Sequence, residues 1–303
     1  MATSLTDPSL VFAANKALIA AHPAIAKVSE FATDFSSDAV QPGDTLKVLF
    51  FDTNPATAYD EVNNNYGTVN GTLGNVSVTF DHRVKKTYAY KPTDHLKVNP
   101  AVWKRRGDAA GVSISLAIES AVSLVINKTN IPKTGTGSAA NESVLSNITK
   151  ANLAKLRAAA DAAGINPGQT VLVLNPSAFA EMLALFDANI YGGTEAIRNG
   201  VVPGLYGFKS IMQLPLDTAA AEKLVGALVP SEALGIAGRT IPADDVGSGA
   251  ECGFTTDEES GLTIGTYAFV DHNTREHKFT MEALFGAKLI QPEKCVRLVS
   301  AAT

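Results

Sequence analysis

The sequence has little of what disulfide-bonded, metal-binding or nucleotide-binding proteins require. Its two cysteines, Cys252 and Cys295, stand far apart with no Cys-x-x-Cys spacing. That reads as two free thiols in a reducing compartment, not a disulfide framework or a zinc site. No run of about 18 apolar residues is apparent, so no transmembrane helix and no membrane partner are expected. The opening MATSLTDPSLVFAANKALIAAHPAIAKV lacks a positive leading region and spaces its apolar residues as on a helix, so a signal peptide is not expected either. Of the five histidines (His22, His82, His95, His272, His277), only the last two are close. Their five-residue separation around a turn does not set two imidazoles on one face. There is no Gly-x-Ser-x-Gly and no His-Glu-x-x-His. Gly135-Thr136-Gly137-Ser138 lacks the lysine of a phosphate loop, and Gly71-Thr72-Leu73-Gly74 does not lead from a short strand into a helix. No internal repeat of about 20–50 residues is present. No catalytic residue, cofactor or metal site is expected. Asp257, Glu258 and Glu259 could offer oxygens to a divalent cation, but they read as an acidic solvated loop.

What is present is ordinary in amount and unusual in arrangement. With 303 residues, 46% of them hydrophobic, the chain can bury a large core, as one large domain or two small ones. Net charge is −5, which is no footprint of a nucleic-acid reader. Yet one stretch is strongly basic: Arg83, Lys85, Lys86, Lys91, Lys97, Lys104, Arg105 and Arg106 face Asp94 alone. The compensating acids include Asp244, Asp245, Glu251, Asp257, Glu258 and Glu259. Opposite charges on separate stretches suit self-association through complementary patches; the plainer reading is two solvated faces.

Along the chain, Asp7-Pro8 starts a helix carrying Leu10, Ala14, Ala17, Leu18 and Ala21, and Pro23 is expected to break it. Thr45 to Phe51 is a strand. Asp52 to Asn75 is a long polar loop rich in asparagine and glycine, with Asn63, Asn64 and Asn65 at its centre. Val76, Val78, Phe80, Tyr88 and Tyr90 alternate with polar residues as the returning arm of one long hairpin. Asn99-Pro100 opens a helix running to about Asn127, ~42 Å long. Its stripes Ala109, Val112, Leu116 and Ile114, Ile118, Ala121, Val122, Val125 predict burial on more than one side. Thr149 to Ala163 is helical, Val171 to Leu174 is a buried strand, and Asn175-Pro176-Ser177 opens a helix to Phe186. Gly204-Leu205-Tyr206-Gly207-Phe208 leads into a strand over 209–213, and 223–229 and 233–237 are buried segments. Strands at 262–269 and 278–285 pair about Asp271 to Thr274, Gly286 interrupts the second, and 295–299 ends the chain.

This order of elements resembles the major capsid proteins of tailed bacteriophages, the Hong Kong 97-type shell fold. The residues carrying the likeness are Asn175-Pro176 after a strand, Gly204-x-x-Gly207-Phe208 some thirty residues on, and Leu284-Phe285-Gly286 before a last strand near Pro292. The resemblance implies an α+β fold in four parts: an N-terminal arm (1–42); an extended β-hairpin loop (43–92); a peripheral domain with the long spine helix and C-terminal hairpin (93–151 and 241–303); and an α/β central domain (152–240). It implies a structural protein, not an enzyme, that assembles with itself as pentamers and hexamers into an icosahedral head around double-stranded DNA. That places it in the virion after assembly in the host cytoplasm. It further implies a portal, DNA contacted non-specifically at most and, because no fused scaffolding segment is evident, a separate scaffolding protein or none. Candidate assembly contacts are Asn63, Asn64, Asn65, Arg83, Lys85, Lys86, Lys104, Arg105, Arg106, Asp257, Glu258 and Glu259. Some members cross-link a loop lysine to a neighbour's asparagine; no residue-level match is seen for Lys85 or Lys86, and such chemistry would need a carboxylate in a dry pocket. The competing readings are an encapsulin-like nanocompartment shell, an enzyme with a site in the 244–259 loop, and a monomeric binding module.

Overall fold

A computed structural model describes residues 3–4, 8–36, 45–51, 73–91, 100–131, 141–162, 165–185, 201–203, 205–216, 222–239, 251–256 and 263–300. Its helices begin where the sequence supplies a start. Pro8 opens α1 (Pro8–Ser29) and Pro100 opens α2 (Pro100–Val125), each in the first turn, where a missing N–H costs nothing. Ahead of α3 (Lys150–Ala162), the Thr149 hydroxyl accepts from the Asn152 N–H at 3.2 Å. Ahead of α4 (Pro176–Ala184), Asn175 Oδ1 accepts from the Ala178 N–H at 2.8 Å.

Pro23 does not break α1, which continues to Ser29. A proline inside a helix costs about 3 kcal/mol, so tertiary packing must offset it. That packing is a seam of small residues. Ala13, Ala17 and Ala21 are fully buried against α2. The α-carbons of Gly107 and Gly111 approach the carbonyl oxygens of Ala13 and Ala17 so closely that neither position has room for a Cβ. The helices run parallel with backbones in contact, and Lys27 reaches Glu119 at 3.5 Å further along.

Both helices lie on one face of the larger sheet. Its order is β1 (Thr3–Ser4), β12 (Glu251–Thr256), β13 (Thr263–Asp271), β14 (Glu276–Leu289), β11 (Leu234–Arg239) and β2 (Thr33–Asp34). The far edge of β14 is shared: its first part pairs with β5 (His82–Tyr90) and its last part with β11. Phe279, Met281, Ala283 and Phe285 point at the helices, and Trp103 of α2 meets the Phe279 ring edge-on at 6.0 Å. The closing hairpin thus packs against the long helix, as the sequence predicts.

The second, six-stranded sheet runs β6 (Glu142–Val144), β15 (Val296–Val299), β10 (Leu224–Pro230), β7 (Thr170–Leu174), β9 (Ser210–Gln213) and β8 (Val201–Pro203). All of β7 is buried because both faces are covered. Leu172 and Leu174 meet α3 and α4 residues on one side, while Val171 and Val173 join the α1–α2 core on the other. Sheet membership departs from the expected division at six strands. β1 and β2 of the expected arm, β5 of the expected loop and β11 lie in the larger sheet, and β6 and β15 in the six-stranded one. Hydrogen-bond register, not position in the chain, assigns them.

β3 (Thr45–Phe51) and β4 (Leu73–Thr79) form the described part of the expected hairpin. The returning arm is shorter than predicted, because the chain turns after Thr79 and β5 leaves to pair with β14. Gly286 does not interrupt β14; it leaves room for the Thr79 carbonyl, where the hairpin crosses the sheet. The tip of the hairpin, with Asn63, Asn64 and Asn65, lies outside the described residues, as do Asp257, Glu258 and Glu259.

Candidate assembly surfaces

The basic stretch is divided between the two faces of β5. Val84 and Tyr88 join the helix-side core, so Arg83, Lys85 and Thr87 lie on the opposite face. There Arg83 grips Glu282 of β14 with two hydrogen bonds, 3.2 Å from Nε and 3.3 Å from Nη2. Glu282 is buried although it stands on a sheet face, and Tyr267 hydrogen-bonds to it. Burial first, and the Glu282 charge second, push the Tyr267 phenol well above its ordinary range. Lys85 stands directly across the strand pair from Glu282. The buried carboxylate that lysine chemistry would need is therefore present beside Lys85, but Arg83 and Tyr267 already occupy it.

On the helix side, Arg106 is not a free surface cation. Its guanidinium carbon lies 4.9 Å from the Trp103 ring centroid and 5.5 Å from that of Tyr88. The Tyr88 hydroxyl donates to the Arg106 carbonyl at 3.0 Å. Lys104 and Arg105 are exposed on the first turns of α2, and Lys85 and Lys86 are exposed along β5. The outer edge of β5 pairs with no described strand.

The two apolar stripes of α2 have different fates. Ile114, Ile118 and Val122 are fully buried, whereas Val112, Leu116 and Leu124 are 49%, 59% and 56% exposed. Among the described residues, the Val112–Leu116 stripe is left uncovered. Over Ala101–Val125 the helix is also long and apolar enough, by length and composition, to cross a membrane, contrary to the sequence reading. Its apolarity has another account, since the inward half is the core of this chain. A cavity of about 500 Å³ adjoins the end of the exposed stripe, lined by Asp81, His82, Leu124, Asn130, Lys288 and Pro292 among others.

In the six-stranded unit, the Gly204-x-x-Gly207-Phe208 segment is a backbone device. Tyr206 and Gly207 are left-handed, with φ of 51° and 76°. Arg157 presses its guanidinium against Gly207 and donates to the Tyr206 carbonyl at 3.0 Å. Phe208 is then buried under α3 and α4. Behind this sheet, Arg297 reaches Glu142 at 2.7 Å and Glu222 at 2.9 Å, all three buried or nearly so. Sequence reasoning missed Glu282 and Arg297. The available signal was a lone charge inside an apolar strand, in FTMEALF and CVRLV.

Among the described residues, no group of three His, Cys, Asp or Glu side chains is placed to hold a metal ion. Both cysteines are unpaired thiols, and burial pushes the Cys295 thiol far up.

No family model matches the sequence, and no curated protein is similar to it. The likeness is in three dimensions. The native gene transfer agent particle's capsid matches at TM-score 0.59 and 12% identity, over 92% of this chain and 91% of that one. The structure titled Mycobacterium phage Che8 matches at 0.53 and 13%, over 90% of each chain. The mature capsid of bacteriophage PhiM1 matches at 0.52 and 12%, over 88% and 84%. The chain therefore has the Hong Kong 97-like fold of phage capsid subunits.

Proposed function

We propose that this chain is the major capsid protein of a tailed phage or a phage-like particle, a structural protein that assembles with itself into a closed icosahedral shell around double-stranded DNA. The observation that carries the reading is the fold match over about nine-tenths of both chains. The exposed stripe of α2 supports it, because apolar side chains left in register on one helix face mark an interaction surface. In this reading pentamers and hexamers are built with the six-stranded unit at the hub. The extended loop laps over neighbours through its part beyond β3 and β4, whereas α1 and β5 are held in this chain's own core; a portal, with a separate scaffolding protein or none, completes the head. Lys85, Lys86, Lys104 and Arg105 would lie at contacts between copies; Arg83 and Arg106 mainly hold their own chain together.

Electron microscopy of the expressed chain, alone and with its genomic neighbours, tests this. Closed shells of uniform diameter are expected. A chain that stays monomeric at all concentrations, salts and co-expressions would overturn it. The contents of purified particles decide between a phage head and an enzyme-filled compartment: DNA-free shells holding a cargo enzyme would favour the latter. Removing residues 53–72 is expected to leave a folded subunit that fails to close stable shells.

A further inference from the structure

We propose that Glu142, Glu222 and Arg297 form a latch that couples the α2 end of the chain to the six-stranded unit. Arg297 is on β15 and is 1% exposed. It donates to Glu142 of β6 at 2.7 Å and to Glu222, just ahead of β10, at 2.9 Å. The Glu222 oxygen that receives Arg297 also accepts the backbone N–H of Lys128 at 2.9 Å. Lys128 lies three residues past the end of α2, so Glu222 ties the end of that helix to the six-stranded unit, in addition to the hydrogen bonds of Lys209 to the Glu30 carbonyl and of Thr33 to the Ser231 carbonyl that also cross between the two units. Apolar contacts tolerate sliding, whereas a carboxylate shared between a guanidinium and an amide fixes direction as well as distance.

Placement shows which member does the coupling. Arg297 and Glu142 stand opposite each other inside the six-stranded sheet, where β6 and β15 already pair in parallel. Glu222 makes the contact that leaves the sheet, to the Lys128 N–H. The buried Arg297 Nε has no partner, so the guanidinium is positioned for its two carboxylates and not for full satisfaction of its own donors. Glu222 is thus a positioning residue. It holds the helix end at a set angle to the sheet. In a shell, where curvature depends on how such units are set within each subunit, releasing it would broaden the range of particle diameters; this consequence alone rests on the capsid reading.

Hydrogen exchange on the unassembled full chain tests the latch without any shell. Glu222→Ala keeps the Arg297–Glu142 pair and removes the acceptor of the Lys128 amide. Exchange over 126–131 is expected to accelerate roughly 10- to 100-fold, the loss typical of a hydrogen bond to a charged group. Protection of β7, β10 and β15 should be unchanged, and Glu222→Gln, which retains an acceptor oxygen, should restore the slow exchange. Glu222→Met, which keeps the volume, gives the same reading if the alanine cavity prevents folding. Uniform loss of protection across the six-stranded sheet, or no change at 126–131, would overturn the proposal. Electron microscopy of the same variants adds the second arm. Shells of unaltered uniformity from a variant with a released helix end would refute the link to curvature and leave the latch standing. If the parent forms no shells, the capsid reading fails while the exchange result still decides the latch.

Discussion

Replacing both Gly107 and Gly111 of α2 with alanine sets two physical effects against each other with opposite signs. Helix propensity favours the change: glycine inside a helix costs about 0.5–1 kcal/mol relative to alanine, so the pair should stabilise by about 1–2 kcal/mol. The α1–α2 seam opposes it. Each new methyl would sit closer than 3.0 Å to the backbone carbonyl of Ala13 or Ala17, and at Gly111 also to the Ala20 methyl. Those atoms belong to a helix backbone and cannot rotate away, so the helices must separate. Overpacking of this kind costs about 1–3 kcal/mol per site. The two sites lie one turn apart on the same seam and share the relaxation, so the costs do not fully add. A net loss of about 1–3 kcal/mol is expected. With an m-value of about 2–3 kcal/mol/M, the urea midpoint of the unassembled subunit should fall by roughly 0.5–1 M. The chain's single tryptophan, Trp103, lies buried in this core, so its fluorescence reports the transition directly. A midpoint that rises would mean that propensity wins and that the seam is not tight.

Three further outcomes are expected. Asn175→Ala removes the cap of α4 and the 3.1 Å bond from Nδ2 to the Leu224 carbonyl, and should cost about 2–3 kcal/mol in urea unfolding; a loss under half of that would show the buried carbonyl finds another donor. Gly207→Ala places a Cβ at φ 76° against the Arg157 guanidinium, and should lower stability by about 1–3 kcal/mol, with Arg157→Ala in the same background recovering part of it. The hydrogen bond from the Lys278 ammonium, then that from the Asn273 N–H, hold the Asp271 carboxyl down at about 2. A depressed folded-state value means the contribution to stability is complete above the ordinary carboxylate range, about 4, and is lost as pH falls towards 2. The stability difference between the parent and Asp271→Asn should therefore shrink between pH 4 and pH 2, and a pH-independent difference would refute the pairing.

Signals confined to a few neighbouring residues were legible in the sequence. Asn175-Pro176 announces a capped helix and Asn99-Pro100 a long one, because cap chemistry and proline's missing donor act within one turn. The closing hairpin was legible from strict alternation about a polar turn. What failed depended on residues far away in the chain. Pro23 looks like a stop until Gly107 and Gly111 allow α1 to lie against α2. β5 looks like the rest of a hairpin until β14, some two hundred residues later, offers an edge to pair with. Gly286 looks like a break until Thr79 is seen to need its space. In each case a local rule was overridden by packing. Of the candidate contacts, Arg83 and Arg106 were singled out only as members of a basic stretch; their partners Glu282 and Tyr88 come from elements far away in the chain or outside the helix.

The exposed and the buried halves of α2 separate what the subunit's fold requires from what it does not. Trp103, Ala110, Ile114, Ile118 and Val122 already complete a core with α1, β14 and the rear face of the six-stranded sheet. Val112, Leu116 and Leu124 add nothing to that core, and their exposure raises the cost of keeping the free chain in water. A helix that only had to cover a sheet would carry polar residues at those positions, as amphipathic helices do. The same holds for β5, whose unpaired edge among the described strands bears lysines at Lys85 and Lys86, the residues that discourage indiscriminate strand pairing while leaving the edge open to a partner of opposite charge. An apolar stripe and a guarded edge, both built on elements whose inner faces are fully engaged, are the surfaces that the described residues leave uncovered, and they are where the proposed assembly contacts are to be sought.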